Sequence, residues 1–184
     1  IFVNSQRAGP STGTPTYTMQ ADLKFVLNAG HGDVNRIVTV PSDAEDSYLL
    51  TGQVTNLAWK YQVPGFILVD KQISESTFSA ELPEVRKEEE KLWDGKGEYQ
   101  RYKFTEDGIS PLAFPGQVHT VKGTSYEHDE KGITIEEEQK MIEKMQEHRL
   151  KKMEVLKEEM KKIETVKVYG NKDADVTLLT WGSS

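Results

Sequence analysis

At 184 residues, 36% hydrophobic and 29% charged, the chain has room for one domain, or one domain and part of another. A formal net charge of −7 argues against a nucleic-acid partner, because such binding rests on neutralising phosphates. No apolar run approaches the roughly 20 residues of a membrane span, and no signal-peptide pattern opens the chain. The absence of cysteine excludes disulfides, zinc–thiolate sites and a cysteine-ligated iron–sulfur cluster within this chain, and the cytoplasm is the simplest compartment.

Ile1-Phe2-Val3 reads as the end of a buried strand. The loop after it, Gln6-Arg7-Ala8-Gly9-Pro10-Ser11-Thr12-Gly13-Thr14-Pro15-Thr16, cannot be helical. Pro10 and Pro15 lack backbone donors and push Gly9 and Thr14 toward extended geometry. Gly9 and Gly13 permit close backbone approach or positive φ. A stiff segment then presents a planar cation and several hydroxyls at the end of a strand, where open α/β sheets bind ligands. The guanidinium fork of Arg7 suits a carboxylate or a phosphate. Gly9-Pro10-Ser11-Thr12-Gly13 also satisfies the nucleophile-elbow pattern, with Asp70 and His119 following in triad order. That elbow needs a strand directly before it and a helix directly after it. Four residues lie between Asn4 and Gly9, and Pro15 blocks an immediate helix, so the hydrolase reading is set aside.

Met19, Leu23, Val26 and Leu27 predict a helix over 18–28, stopped by Gly30. His31 follows in Gly30-His31-Gly32-Asp33, where it either contacts a ligand or closes a turn; the spacing favours the turn. Arg36–Val40 reads as a short strand closed by Pro41. Ser42 or Asp43 caps the next helix, with Glu45 and Asp46 in its first turn. That helix runs to about Tyr61 and buries Leu49, Leu50, Val54, Leu57, Ala58 and Tyr61. Pro64 ends it, and Gly65–Asp70 is a continuous apolar strand of the kind buried on both faces. The alternation of strands and helices implies a parallel sheet with helices on its faces.

From Ser79 to Gly132 the periodicity dissolves. Glu84–Lys91 is charge-rich, Asp94–Gly97 a turn, Tyr99–Phe104 a candidate strand and Gly108–Gly116 a loop with two prolines. Trp93, Tyr99, Tyr102, Phe104 and Phe114 argue against disorder. An ordered connection wrapped over something else, such as another subunit, accounts for such a stretch. Glu127-His128-Asp129-Glu130 looks like a metal cluster in composition. Four adjacent side chains do not converge on one ion, so structural hydrogen bonding is the better reading. His119 and His148 have no identifiable partner.

The spacing predicts a long amphipathic helix from Ile133 to about Thr165. Thr134 and Glu137 form a capping box, and Ile142, Met145, Met153, Leu156, Met160 and Ile163 form a stripe interrupted by Arg149. Glu136/Lys140, Glu147/Lys151 and Glu158/Lys162 add i,i+4 pairs worth about 0.2–0.5 kcal/mol each. Packing on its own protein is preferred over a coiled coil. Asp175–Trp181 reads as a strand with a glycine turn at Gly182. A chain that opens on Ile1 and closes on a new strand–loop unit is expected to be a piece of a longer polypeptide. There is no P-loop, G-x-G-x-x-G or H-E-x-x-H motif.

Four blocks occur in order: Gln6 to Thr16 as written above; Ala29-Gly30-His31-Gly32-Asp33; Gly108-Ile109-Ser110-Pro111 with Pro115-Gly116; and Glu127-His128-Asp129-Glu130-Lys131-Gly132. Through them the chain resembles the α subunit of 2-oxoacid:ferredoxin oxidoreductases, notably the 2-oxoglutarate type. The resemblance implies an α/β fold. Residues 1–78 would be the C-terminal half of a thiamine diphosphate-binding, pyrimidine-type, parallel-sheet domain. Residues 79–132 would be an extended linker and 133–167 a long helix. Residues 168–184, with Leu179-Thr180-Trp181-Gly182-Ser183-Ser184, would open a transketolase C-terminal-like domain.

By the same resemblance the enzyme oxidatively decarboxylates a 2-oxoacid on thiamine diphosphate, passes electrons through a 4Fe–4S cluster to ferredoxin, and transfers the acyl group to coenzyme A. The cluster and the thiamine diphosphate–Mg²⁺ site are expected mainly on a β subunit. Arg7 would pair with the substrate carboxylate and Thr16 would donate a hydrogen bond to it. Ser11 and Thr12 would shape the loop, and His31 is a further secondary candidate. No metal ligand is assigned within this chain. The family's Tyr-Pro-Ile-Thr-Pro block and its activating glutamate region are absent, Ala8 replaces a common glycine, and this chain alone is expected to be inactive. The alternative is a non-catalytic α/β module that binds an anion or mediates subunit assembly.

Overall fold

The computed structural model describes residues 1–184 and divides them into two compact units, one of Ile1–Glu88 with Tyr169–Ser184 and the other of Glu89–Val168. No helix is long and apolar enough to cross a membrane.

The first unit holds β1 (Phe2–Gln6), α1 (Leu23–Asn28), β2 (Ile37–Thr39), α2 (Ala44–Tyr61), β3 (Gly65–Asp70) and α3 (Lys71–Glu75). The three strands form a parallel sheet in the order β1-β3-β2. The apolar run of β3 takes the centre, and Leu68 is completely buried there beside Ile67. β1 lies at one edge of the three strands, and Ile1, Phe2 and Val3 are exposed rather than buried. Phe2 nonetheless stacks on Phe66, its register partner, with ring centroids 5.1 Å apart.

α2 covers the sheet with Val54, Leu57 and Tyr61, each burial worth about 1.5–3 kcal/mol. Its entry is a reciprocal cap. Asp43 accepts from the Asp46 backbone N–H at 2.8 Å, while the buried Asp46 carboxylate accepts from the Ser42 hydroxyl at 2.8 Å and the Ser42 N–H at 3.1 Å. Gln62 in the left-handed region (φ 51°) ends the helix ahead of Pro64.

The helix expected over 18–28 forms only from Leu23. Residues 18–22 are tied to the sheet end instead: the Asp22 N–H donates to Gln6 and the Gln20 amide donates to Asp70. The strand expected over 175–181 does not form. No other strand pairs with it, and Val176, Leu178 and Leu179 are exposed, Leu178 at 87%.

In the second unit α4 (Gln139–Met160) buries Met145 and Leu156, and the connection before it buries Ile109, Ala113 and Ile135. The candidate strand at 99–104 is absent, and the Tyr99 hydroxyl serves as a brace, accepting from the Ala113 N–H at 3.0 Å. Isolated bridges such as Leu92 with Leu112 order the chain without making a sheet. α4 begins six residues later than Ile133, and the capping box of Thr134 does not form. Thr134 lies in an antiparallel bridge with His128, and the Ile135 N–H donates to the Glu127 carbonyl at 2.9 Å, so residues 133–135 are committed to an extended pairing. Gly108, at φ +73°, lies so close to the α4 backbone that a Cβ would be 2.7 Å from the Lys152 nitrogen.

Candidate functional site

β1 ends at Gln6 and β3 at Asp70, register partners at the carboxyl edge of the sheet. Both residues are 0% exposed. Gln6 accepts from the Asp22 N–H at 3.2 Å, and Asn4 donates to the Asp22 carboxylate at 2.7 Å. These contacts draw the chain beyond the loop back across the strand end. The Gln6 Nε2 group is buried without a hydrogen-bond partner.

Past Gln6 the chain makes a narrow loop closed by Thr14 N–H donating to the Ala8 carbonyl at 3.2 Å. Ser11 (φ 56°) and Gly13 (φ 51°) turn the tip. A Cβ on Gly13 would run into the Ala8 carbonyl oxygen, so the closure requires glycine. No helix follows the tip, since α1 starts only at Leu23, and the nucleophile-elbow geometry is absent.

Arg7 runs along the base of this loop, its side chain 16% exposed. Nε donates to the Pro15 carbonyl at 2.9 Å, and Nη1 to the Ser5 hydroxyl at 3.1 Å and the Gln6 carbonyl at 3.0 Å. Nη2 donates to Glu75 Oε1 at 2.8 Å. Of the five N–H groups that a guanidinium carries, four are therefore directed at protein acceptors. The orientation of the cation is set by the loop it belongs to.

Glu75 sits on α3, where Lys71 reaches its second oxygen at 2.5 Å. The hydrogen bond from Lys71, with the charges of Lys71 and Arg7, holds the Glu75 carboxyl below the usual range against the opposing effect of burial. Asp70 caps the same helix: Oδ1 accepts from the Ile73 N–H at 3.1 Å. Its Oδ2 accepts from Gln20 Nε2 and from the Ser183 N–H, both at 2.8 Å. Burial pushes this carboxyl up, but the hydrogen bonds from Gln20, Ser183 and Ile73 outweigh it, and the net shift is downward.

Thr16, Ser11 and Thr12 are exposed on the same loop as Arg7. His31 is exposed between Gly30 (φ 106°) and Gly32 (φ 72°), in the connection that leads into the amino end of β2. In a parallel sheet that is the edge opposite the carboxyl ends, so His31 is not brought to Arg7. Lys71, Glu75, Asp70 and Gln20 are the neighbours that sequence reasoning missed. The one signal the sequence carries is the Lys71/Glu75 pair, four residues apart just after a buried strand, and it does not by itself point to Arg7.

In the second unit the Glu127–Glu130 block spreads to separate partners. Glu127 is clasped by both terminal nitrogens of Arg149, which holds its carboxyl below the ordinary range. His128 stacks on Tyr102 at 3.5 Å, and burial lowers its pKa. Asp129 accepts from the Lys131 and Ile133 N–H groups, and Glu130 from that of Phe104. His148 Nε2 accepts from the Thr105 N–H at 3.0 Å, and burial likewise lowers its pKa. His119 is exposed.

A parallel α/β sheet with an arginine-bearing loop at its carboxyl edge is the arrangement of a ligand-binding α/β domain. Residues 1–167 match the family described as pyruvate flavodoxin/ferredoxin oxidoreductase, thiamine diphosphate-binding. The chain is 42% identical to a 2-oxoacid:ferredoxin oxidoreductase α subunit of Saccharolobus solfataricus, over 96% of this chain and 29% of that one. It is 28% identical to the 2-oxoglutarate synthase subunit KorA of Methanothermobacter marburgensis, over 100% of this chain and 48% of that protein. A solved 2-oxoglutarate:ferredoxin oxidoreductase from Magnetococcus marinus, with 2-oxoglutarate, coenzyme A and succinyl-CoA bound, superimposes with a TM-score of 0.78. The two are 38% identical, over 85% of this chain and 28% of that one. The chain thus belongs to the pyruvate flavodoxin/ferredoxin oxidoreductase family, on the side of the 2-oxoacid:ferredoxin oxidoreductase α subunits, and spans about 29% of the length of its relatives there.

Proposed function

We propose that this chain supplies the substrate-carboxylate loop of the α subunit of a 2-oxoacid:ferredoxin oxidoreductase, with 2-oxoglutarate as substrate. The substrate loses its carboxyl group as carbon dioxide, its acyl group passes to coenzyme A, and the electrons released go to ferredoxin. The observation that carries the reading is Arg7, a partly shielded guanidinium held at the carboxyl edge of the sheet by its own loop. Holding the cation before substrate arrives spares the ordering cost of binding.

In this assignment Nη2 of Arg7 pairs with the substrate carboxylate and the exposed Thr16 hydroxyl donates a second hydrogen bond. Ser11 and Thr12 shape the loop tip, and His31 takes no part. Residues 1–78 belong to the pyrimidine-type domain, 79–132 to the connecting segment, 133–167 to the helical segment, and 168–184 open the transketolase-like domain. Thiamine diphosphate, when bound, supplies the electron sink for decarboxylation. No cysteine is present and no three carboxylate or imidazole groups converge. By the family resemblance the 4Fe–4S cluster and the Mg²⁺ that accompanies thiamine diphosphate are assigned to the β subunit.

The test is Arg7→Ala in the α subunit assembled with its β subunit. Loss of a hydrogen-bonded charge partner should raise the KM for 2-oxoglutarate roughly 10- to 100-fold and lower kcat, with assembly preserved. Failed assembly, with normal substrate kinetics in whatever complex remains, would refute the substrate role and leave an assembly module in its place.

A further inference from the structure

The guanidinium that this function needs is already paired. Arg7 has three donors fixed on Ser5, Gln6 and Pro15, and those bonds hold the loop closed. Only the Nη2 side is left to face a ligand, and Glu75 Oε1 sits on it at 2.8 Å. A substrate carboxylate arriving there meets a carboxylate already in place, and two like charges sharing one site repel.

We infer that Glu75 is an internal competitor for Arg7, a carboxylate that the 2-oxoacid displaces on binding, and that Lys71 keeps hold of it afterwards. The inference rests on the assignment of Arg7 to the substrate carboxylate. Three observations support it. The Glu75 side chain is 50% exposed, so its swing into water meets little packing resistance. Its other oxygen is bonded to Lys71, itself only 24% exposed, so leaving Arg7 does not strand the charge without a cation. The helix that carries both is anchored at its first turn by the fully buried Asp70, so the exchange is a side-chain rotation and not a movement of α3. The consequence is selectivity. An anion must outbid a tethered carboxylate, so singly bonded small anions are turned away, and an acid with further contacts, such as the one proposed from Thr16, gets through.

The experiment measures initial rates for 2-oxoglutarate with the assembled enzyme carrying Glu75→Gln, Lys71→Met, both together, or Arg7→Ala. An exposed ion pair is a modest competitor, so Glu75→Gln should lower KM about two- to fivefold with kcat little changed. Lys71→Met should raise KM, because the whole charge of Glu75 then falls on Arg7. The double variant should match Glu75→Gln alone, because Lys71 acts only through Glu75. An unchanged or raised KM in Glu75→Gln, with wild-type thermal unfolding, overturns the inference even where Arg7→Ala raises KM. If Arg7→Ala leaves KM unaltered, the underlying assignment falls instead. A double variant with KM above that of Glu75→Gln would make Lys71 a substrate contact and overturn its role as receiver. Glu75→Ala gives the same reading should the glutamine variant fold poorly.

Discussion

Asp70→Asn tests the sheet-end cluster with one atom changed. Oδ1 of Asp70 accepts from the Ile73 N–H and Oδ2 from Gln20 and Ser183, so three donors face two oxygens. An amide presents one acceptor and one NH₂ group, and either orientation turns N–H toward N–H. With its oxygen toward Ile73 the cap survives and two bonds to a charged acceptor are lost; with the oxygen reversed the cap of α3 is lost. Hydrogen bonds to charged groups contribute about 1.5–3 kcal/mol each. Gln20 and Ser183 are partly exposed and can turn to water, which brings the net cost to roughly 2–4 kcal/mol. The cluster is tightly built, since a Cβ at Gly182 would lie 2.7 Å from the Gln20 amide and 2.9 Å from Asp70 Oδ2. At about 2–4 °C per kcal/mol for a chain of this size, the thermal midpoint at pH 7 should drop roughly 5–15 °C. The folded pKa of Asp70 lies below its unfolded value, so its stabilisation is complete above about pH 4 and disappears as pH falls through the lower folded pKa. The gap between the two proteins should therefore close below pH ~4. A drop under about 2 °C at pH 7, or a gap that persists into acid, would refute the assigned bonding.

Gly13→Ala places a Cβ against the Ala8 carbonyl oxygen at φ +51°. The left-handed geometry alone costs about 1–2 kcal/mol, and the opened loop should raise the KM for 2-oxoglutarate in steady-state kinetics; a Gly13→Ala enzyme with wild-type KM would count against the loop's role. Lys152 is brought down to about 8 by burial, with Arg101 and Arg149 adding to the effect. Between pH 8 and about 10.4 the unfolded chain binds a proton that the folded chain lacks, so stability contributed by this group rises with pH across that window. Urea unfolding of Lys152→Met should lose that rise, and an unchanged slope would count against the shift.

The sheet was legible because its signals are local. Pro41 and Pro64 punctuate, Asp43 and Asp46 cap, and Gly65–Asp70 has no polar interruption before its last residue, so strand, helix and strand followed from period and breakers alone. What failed were segments whose backbone groups are claimed from a distance. Residues 18–22 have helical spacing, yet Asp22 and Gln20 answer to Gln6 and Asp70, 16 and 50 positions away. Thr134 and Glu137 satisfy a capping pattern, yet the bridge to His128 takes that stretch first. Arg7 stood out from loop chemistry as a candidate, and its contact with Glu75 did not, because Glu75 lies 68 residues further on. Its own neighbourhood shows only a Lys–Glu pair of the kind found on many solvated helices.

The composition of the Arg7 loop follows from holding one cation in one direction. Pro15 must turn its carbonyl inward to receive Nε, and its fixed φ limits the alternatives. Gly13 must let the returning strand approach Ala8 closely enough for the loop to close beside that carbonyl. Ser5 and the Gln6 carbonyl then take both hydrogens of Nη1, and Gln6 in turn is buried under Asp22. With these bonds made, the guanidinium cannot offer a substrate the symmetric fork that an unconstrained arginine presents. It offers the Nη2 side alone. Tight recognition then needs a second donor on the same loop, and the exposed hydroxyl of Thr16, one residue past the Pro15 carbonyl that receives Nε, is the one assigned to it. On this argument Thr16→Val should lose substrate affinity in the same direction as Arg7→Ala, and a Thr16→Val enzyme with wild-type KM would mean that the second donor comes from elsewhere.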